Sequence, residues 1–441
     1  MSDASSTEGD ADPPESATAA VVEAARESDL GLVVGTLLAI YAAATLLTFT
    51  DGLNSVVGLM ETLTFLGLVY ALTALALNLQ WGYTGLFNIG VAGFMAVGVY
   101  TMGMVVRSPD PAFGPPGLGL PLPVGIVAGM VMAALLGAVA ALPALRLKAD
   151  YLAIVTLGLS EIVRLSLQSS AFDNFLRDTI GAGTGGGRGM GMPDNPVREL
   201  FLVDGQAGTP TAFGELVFGV FGNDGLGIAH TILIGWGYIA VLAVFLGGFY
   251  LVLERLGRSP FGRTMKAIRE DELVADSLGK DVNLVKIKVF VIGCALMGLA
   301  GILWFGSQGN VSPTPQFRPL LTFYVFIAVI IGGSGSNTGS VLGGIVFAAV
   351  LFEGPRRVGG TVRGLIDAQT PPSFADAVAS LDPVTFLAYA TENVAPLQFV
   401  FLGLVLVFII HRRPEGILGD RIETAAAVDL SERPAGGESD E

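Results

Sequence analysis

The chain has 441 residues, 52% of them hydrophobic and only 14% charged, with a mean hydropathy of +0.65 and a formal net charge of −15. A soluble domain carries nearer about a quarter charged residues, so a water-soluble globular fold is excluded. Apolar runs of about 15–25 residues suit helices that cross roughly 30 Å of hydrocarbon, and they lack the alternation of a transmembrane barrel.

Residues 1–30 hold eight acids and one Arg, and residues 414–441 hold eight acids and two Arg. With little to bury, both tails read as disordered. Only five residues are Lys against nineteen Arg. Acidic, Lys-poor exposed segments suit a high-salt, halophile-like cytoplasm, although two acidic tails alone also account for the charge. No basic stretch leads into an apolar one at the N-terminus, so the first apolar run reads as a retained span.

Ten apolar runs follow, at 31–49, 63–79, 87–106, 121–145, 152–169, 230–253, 287–307, 318–333, 339–353 and 396–411. They predict an all-α, polytopic helical membrane protein with about ten membrane segments. Its membrane domain covers 31–411, between an acidic N-terminal tail (1–30) and an acidic C-terminal tail (412–441). The fifth run is weak because it carries Glu161 and Arg164, spaced for a local ion pair. The ninth is weak because it is short. With ten spans and the N-terminus inside, cytoplasmic regions hold 15 Lys and Arg against eight in or beside outer loops, as the positive-inside rule requires. Both termini are then cytoplasmic, and 170–229 and 354–395 are outer loops.

In the fourth run, Gly125, Gly129, Ala133, Gly137 and Ala141 recur every four residues. Small residues at that spacing let helix backbones approach closely in lipid. The 170–229 stretch contains Gly181-Ala-Gly-Thr-Gly-Gly-Gly187, a formal GxGxxG without the flanking strand and helix of a nucleotide site. It reads as a flexible outer loop. Gly332-Gly-Ser-Gly-Ser-Asn337 lacks the Lys of a phosphate-binding loop and reads as a tight turn.

Between the sixth and seventh runs lies the longest polar stretch with helical character. Eight of the 24 Lys and Arg fall between Arg255 and Lys288. Ser259-Pro260 is a helix start. A second short helix can run from Asp271 to Gly279, a residue suited to the left-handed position after a helix. The 254–286 loop therefore reads as a structured cytoplasmic element, or more simply as a solvated charged loop.

Cys294 reads as a small core residue. The two histidines, His230 and His411, are far apart, and no spacing predicts a metal, a cofactor or catalysis. Away from the ends of the runs only Glu161 and Arg164 are charged, whereas ion-driven transporters place carboxylates at mid-membrane. Polar residues at the breaks between runs, Asn78, Gln80, Tyr83, Thr84 and Asn88, together with Tyr151 and Thr156, are candidates for a translocation path. Hydrogen bonding to helix ends or to their own backbone accounts for them equally.

Four stretches carry a resemblance: Ala74–Tyr100 (ALALNLQWGYTGLFNIGVAGFMAVGVY), Arg146–Leu165 (RLKADYLAIVTLGLSEIVRL), Arg258–Leu303, and Ile331–Gly344 (IGGSGSNTGSVLGG) paired with Arg412–Gly419 (RRPEGILG). Together they resemble the LivM-type permeases of branched-chain amino-acid ABC importers. The resemblance implies a transport subunit that is not itself an enzyme. Its partners would be a second homologous permease chain, two cytoplasmic ATPase subunits and an extracytoplasmic substrate-binding protein, with no nucleic acid. It places AIREDELVADSLG at the ATPase-coupling loop, with Arg269, Asp271, Glu272, Ala275, Leu278 and Gly279 as coupling residues. The family pattern there is Glu-Ala-Ala with Gly four residues after the last Ala. Ala275 and Gly279 fit, Leu273 and Val274 depart, and the acid stands one place early at Glu272. The same loops serve importers of urea or short amides, and a stand-alone secondary transporter or channel is the remaining alternative.

Overall fold

A computed structural model of the protein describes residues 29–48, 52–111, 113–144, 149–203, 209–222 and 225–418. Of the tails expected at 1–30 and 412–441, residues 1–28 and 419–441 lie outside the described residues, as do Arg146 and Lys148.

The first part of the chain gives α1 (Asp29–Thr48), α2 (Leu53–Leu77), a π-helical turn (Asn78–Gly82), α3 (Val91–Val106), α4 (Leu122–Ala144) and α5 (Ala149–Gln168). Shorter helices α6 (Ser170–Ile180), α7 (Pro196–Phe201) and α8 (Ala212–Phe221) precede α9 (His230–Arg258). Then come α10 (Pro260–Glu270), α11 (Glu272–Ser277), α12 (Val282–Phe305), α13 (Pro313–Gln316) and α14 (Pro319–Gly332). The chain continues through α15 (Asn337–Val346), a second π-helical turn (Phe347–Glu353), α16 (Gly354–Leu365), α17 (Phe374–Ala379), α18 (Pro383–Glu392) and α19 (Val394–Arg412).

Each of the ten apolar runs is helical over most of its described residues. Among the described residues seven helices are long and apolar enough to cross a membrane, or eight if α18 and α19, bent by 87° at their junction, form one span. The apolar parts of α1 and α3 are shorter, at Leu30–Leu46 and Val91–Val106.

α2 is the central post, with nearly every residue from Gly67 to Leu77 buried. Tyr70 fixes it laterally, its ring 4.8 Å from both Trp304 and Phe347 in edge contacts. α3, α4 and α12 form a three-helix sheaf whose backbones touch. A β-carbon on Gly98 would lie 2.6 Å from Gly298 Cα, one on Gly298 2.7 Å from Ala133 Cβ, and one on Gly137 2.8 Å from Cys294. The four-residue repeat of small residues in α4 therefore lies against α3 and α12, and Cys294 is a buried core residue.

Two sequence expectations are corrected. Glu61 lies inside α2, which starts ten residues before the apolar run that marks it, so Glu161 is not the only acid within a span. The Gly181–Gly187 run is an organised turn: the buried Asp173 carboxylate accepts from Thr184 N at 2.7 Å and Gly185 N at 2.9 Å, and bonds Arg177 at 2.8 Å. A two-residue ladder then pairs Met190 with Val311 and Gly191 with Asn310 (β1, Met190–Gly191, against β2, Asn310–Val311), tying this stretch to the end of α12. The 354–395 stretch, expected as an outer segment, contains α16, α17 and α18.

The two halves of the fourth resemblance stretch meet in space. Ile417 N and Leu418 N donate to Ile331 O and Gly332 O at 2.8 and 3.1 Å, so residues 413–418 are fastened to the end of α14.

Candidate functional site

The polar segment after α9 folds by local rules. Ser259 Oγ accepts from Gly262 N at 3.1 Å, and Pro260 takes the first helical position of α10, where its missing N–H is harmless. Asp271 ends α10 and caps α11, one carboxylate oxygen accepting from Leu273 N at 2.9 Å and Val274 N at 3.1 Å. α11 closes in a Schellman turn: Gly279 N donates to Asp276 O (2.8 Å), Lys280 N donates to Ala275 O (3.3 Å), and Gly279 adopts φ 76°. Only glycine takes that conformation without strain.

This two-turn unit is bolted to its neighbours. Ala275 packs with Ile268 and Val282 in a small core shared by α10, α11 and α12. Glu272 reaches across to Lys286 on α12 at 2.5 Å. The opposite face is open and apolar: Leu273 is 78% exposed, Leu278 72%, and Val274 is also exposed. Sequence reasoning named Leu278 but treated Leu273 and Val274 only as departures from a pattern. Their signal was apolar side chains beside charges in a polar loop. Lys286 gave none, because fourteen residues and a turn separate it from Glu272.

Arg269 faces the other way. Its guanidinium donates to Gly82 O, the last carbonyl of the π-helical turn in α2. Burial pulls its pKa below the ordinary Arg range, with Glu270 opposing. A β-carbon on Gly335 would sit 2.6 Å from Arg269 Nη1, so the same side chain also lies against the turn between α14 and α15. Asn78 joins these parts: it accepts from Gly335 N at 2.8 Å and donates to Asn337 at 3.3 Å. Asn337 in turn donates to Glu254 near the end of α9 at 3.3 Å.

The candidate path residues divide. Asn78, Tyr83, Asn88 and Thr156 are buried together around the break between α2 and α3, whereas Tyr151 lies on the outward face of α5, 59% exposed. Asn88 donates to Gln80 at 2.8 Å, and Gln80 donates to Phe290 O at 2.8 Å. The Lys266 ammonium lies 5.5 Å from the centre of the Tyr83 ring. Thr156 Oγ1 accepts from Ile89 N at 3.0 Å and donates to Ala153 O at 3.1 Å. On α5, Arg164 Nε donates to Glu161 at 2.9 Å, the ion pair expected from their spacing. Sequence reasoning missed Ser160 and Thr322, which face the same break from α5 and α14.

A bundle of apolar spans with a capped polar helix pair between two of them defines a polytopic helical membrane protein. Residues 59–354 match the family described as the branched-chain amino acid transport system permease component, and the chain belongs to that family. It is similar to the high-affinity branched-chain amino acid transport system permease protein LivM of Salmonella typhimurium, 34% identical over 283 residues covering 63% of this chain and 60% of the relative. LivM of Escherichia coli is 34% identical over 292 residues, covering 64% and 60%. The probable branched-chain amino acid transport permease protein LivM of Methanocaldococcus jannaschii is 28% identical over 310 residues, covering 64% and 77%. The chain thus spans 60% of the length of the first two relatives. No solved structure matches it.

Proposed function

We propose that the chain is the membrane permease of an ATP-driven importer for branched-chain or similar small amino acids, energised by separate ATPase subunits. The observation that carries this reading is α11: a helix capped at both ends, anchored to α10 and α12, and presenting an apolar face that none of the described residues covers. An exposed apolar patch on a rigid element marks an interaction site. The permease assembles with a homologous second permease and two ATPases, and a binding protein delivers substrate from outside. The α9–α12 connection then lies in the cytoplasm with both termini. Closure of the ATPase dimer moves α10 and α11 as one lever, and the bundle switches between outward and inward openings, a coupling between distant sites through an element with two arrangements.

Leu273 and Leu278 point away from the fold, so the double variant Leu273→Asp, Leu278→Asp is expected to express and insert normally and to lose copurification with the ATPase. Retention of the ATPase by that variant contradicts the docking role.

A further inference from the structure

α3 begins inside the bundle rather than at its edge. Its 16 residues extend about 24 Å, short of the roughly 30 Å of a hydrocarbon core. The start of α3 lies beside Thr156 and Ser160, in the middle of the Tyr151–Gln168 span. Asn88, just before it, approaches Met297 at 3.9 Å, well inside the Val282–Phe305 span. The preceding chain is broken by the π-helical turn at Asn78–Gly82 and by Gly85 at φ 73°.

Three backbone N–H groups at this start are held by neutral oxygens from three directions. Ile89 N donates to Thr156 Oγ1 on α5 (3.0 Å), Gly90 N to Asn88 Oδ1 (2.8 Å), and Ala92 N to Thr322 Oγ1 on α14 (3.1 Å). A fourth polar group has no partner: Ser160 is 2% exposed and its Oγ makes no hydrogen bond. That hydroxyl lies against Gly93 in the first turn of α3, 2.9 Å from where a β-carbon would stand. Glycines at 90 and 93 allow this approach, since β-carbons there would lie 2.9 Å from Thr156 O and 2.7 Å from Ser160 Cα. The neighbouring acid on α5, Glu161, is bound to Arg164.

A buried hydroxyl without a partner lowers stability and calls for an explanation. A helix N-terminus attracts anions through its free N–H groups and dipole, and half-helix starts at mid-membrane suit anionic groups of a solute. Resting on the permease reading above, we propose that the first turn of α3, with Thr156, Ser160 and Thr322, is the midway receptor for the carboxylate of the transported amino acid. In the closed arrangement described here the threonine and asparagine oxygens stand in for it. When α5 separates from α3, the carboxylate replaces them on the N–H groups and Ser160 Oγ donates to it. A bond to a charged acceptor is roughly twice as strong as one between neutral groups, so the exchange favours a solute bearing a carboxylate over the same solute with a carboxamide in its place.

The test uses the complete permease–ATPase complex in nanodiscs, without the delivery protein, and measures binding of labelled leucine with leucinamide as competitor. Wild type is expected to bind leucine and to discriminate against leucinamide at least roughly tenfold, the worth of a bond to a charged group. Ser160→Ala is expected to weaken leucine binding roughly tenfold and to narrow the discrimination, with a melting temperature equal to or above wild type because an unpartnered hydroxyl has gone. Thr322→Val, which keeps shape and removes the oxygen, moves binding in the same direction. Unchanged leucine binding by Ser160→Ala, equal competition by leucinamide, or no leucine binding by wild type each overturns the receptor. Failure of ATP-driven leucine uptake by the full importer instead overturns the permease reading itself.

Discussion

Arg269 shows how much one orientation decides. Its sequence position, two residues before the cap of α11, groups it with residues that meet a partner. The side chain instead turns inward to Gly82 O and the Gly335 turn. It therefore fits a relay: movement of α10 reaches the break after α2 through one guanidinium, in a space that a side chain at 335 would fill. Arg269→Ala is expected to leave ATPase association intact and to lower leucine uptake per ATP hydrolysed roughly tenfold, the worth of one bond to a charged donor. Arg269→Lys, keeping charge and one donor, recovers part of the loss. Uptake per ATP equal to wild type in Arg269→Ala removes the relay. The bond joins residues 187 apart in the chain, so nothing local in the sequence foretold it.

At the scale of elements, α11 was legible because its boundaries are set locally. An Asp that can cap, a short apolar-and-acid turn and a Gly suited to positive φ are visible in nine consecutive residues, and the structure places Asp271 and Gly279 in those conformations. Segments held by distant groups were not legible. The Gly181–Gly187 run looks like slack chain until Asp173 and Arg177 are seen around it. The late start of α3 depends on Thr156 and Thr322, which lie 67 and 230 residues beyond the N–H groups they hold. Gly279→Val should strain α11 by about 1–2 kcal/mol, too little to unfold the bundle. No neighbour crowds that position, so the effect is on backbone conformation alone. Near-normal expression with sharply reduced ATPase association or ATP-driven uptake is expected. Ala275→Arg is a separate lesion, since it drives a charge into the small core with Ile268 and Val282 and should loosen α11 from α10 and α12. Wild-type transport by Gly279→Val with the ATPase still bound removes α11 as the coupling element.

At the scale of the molecule, the composition announced a helical membrane bundle, and the small-residue repeat of α4 announced its closest packing. The number of full-length spans was harder to read, because hydropathy marks where apolar residues are and not where a helix begins. α2 starts well before its apolar run and α3 starts late within its own. Sidedness rests on Lys and Arg placement and has a direct check. Cys294, the one cysteine of the chain, is buried, so Ser259→Cys offers a single reactive site. It should resist an impermeant thiol reagent in intact cells and label after permeabilisation; labelling in intact cells reverses the topology. The central claim is that this chain moves solute only when ATP hydrolysis on partner chains drives it. Its most direct measurement is accumulation of labelled leucine in proteoliposomes, with the chain reconstituted alone and then with its second permease, ATPases and binding protein. The account requires no accumulation by the chain alone and ATP-dependent accumulation by the full set. ATP-independent uptake by the chain alone would contradict it.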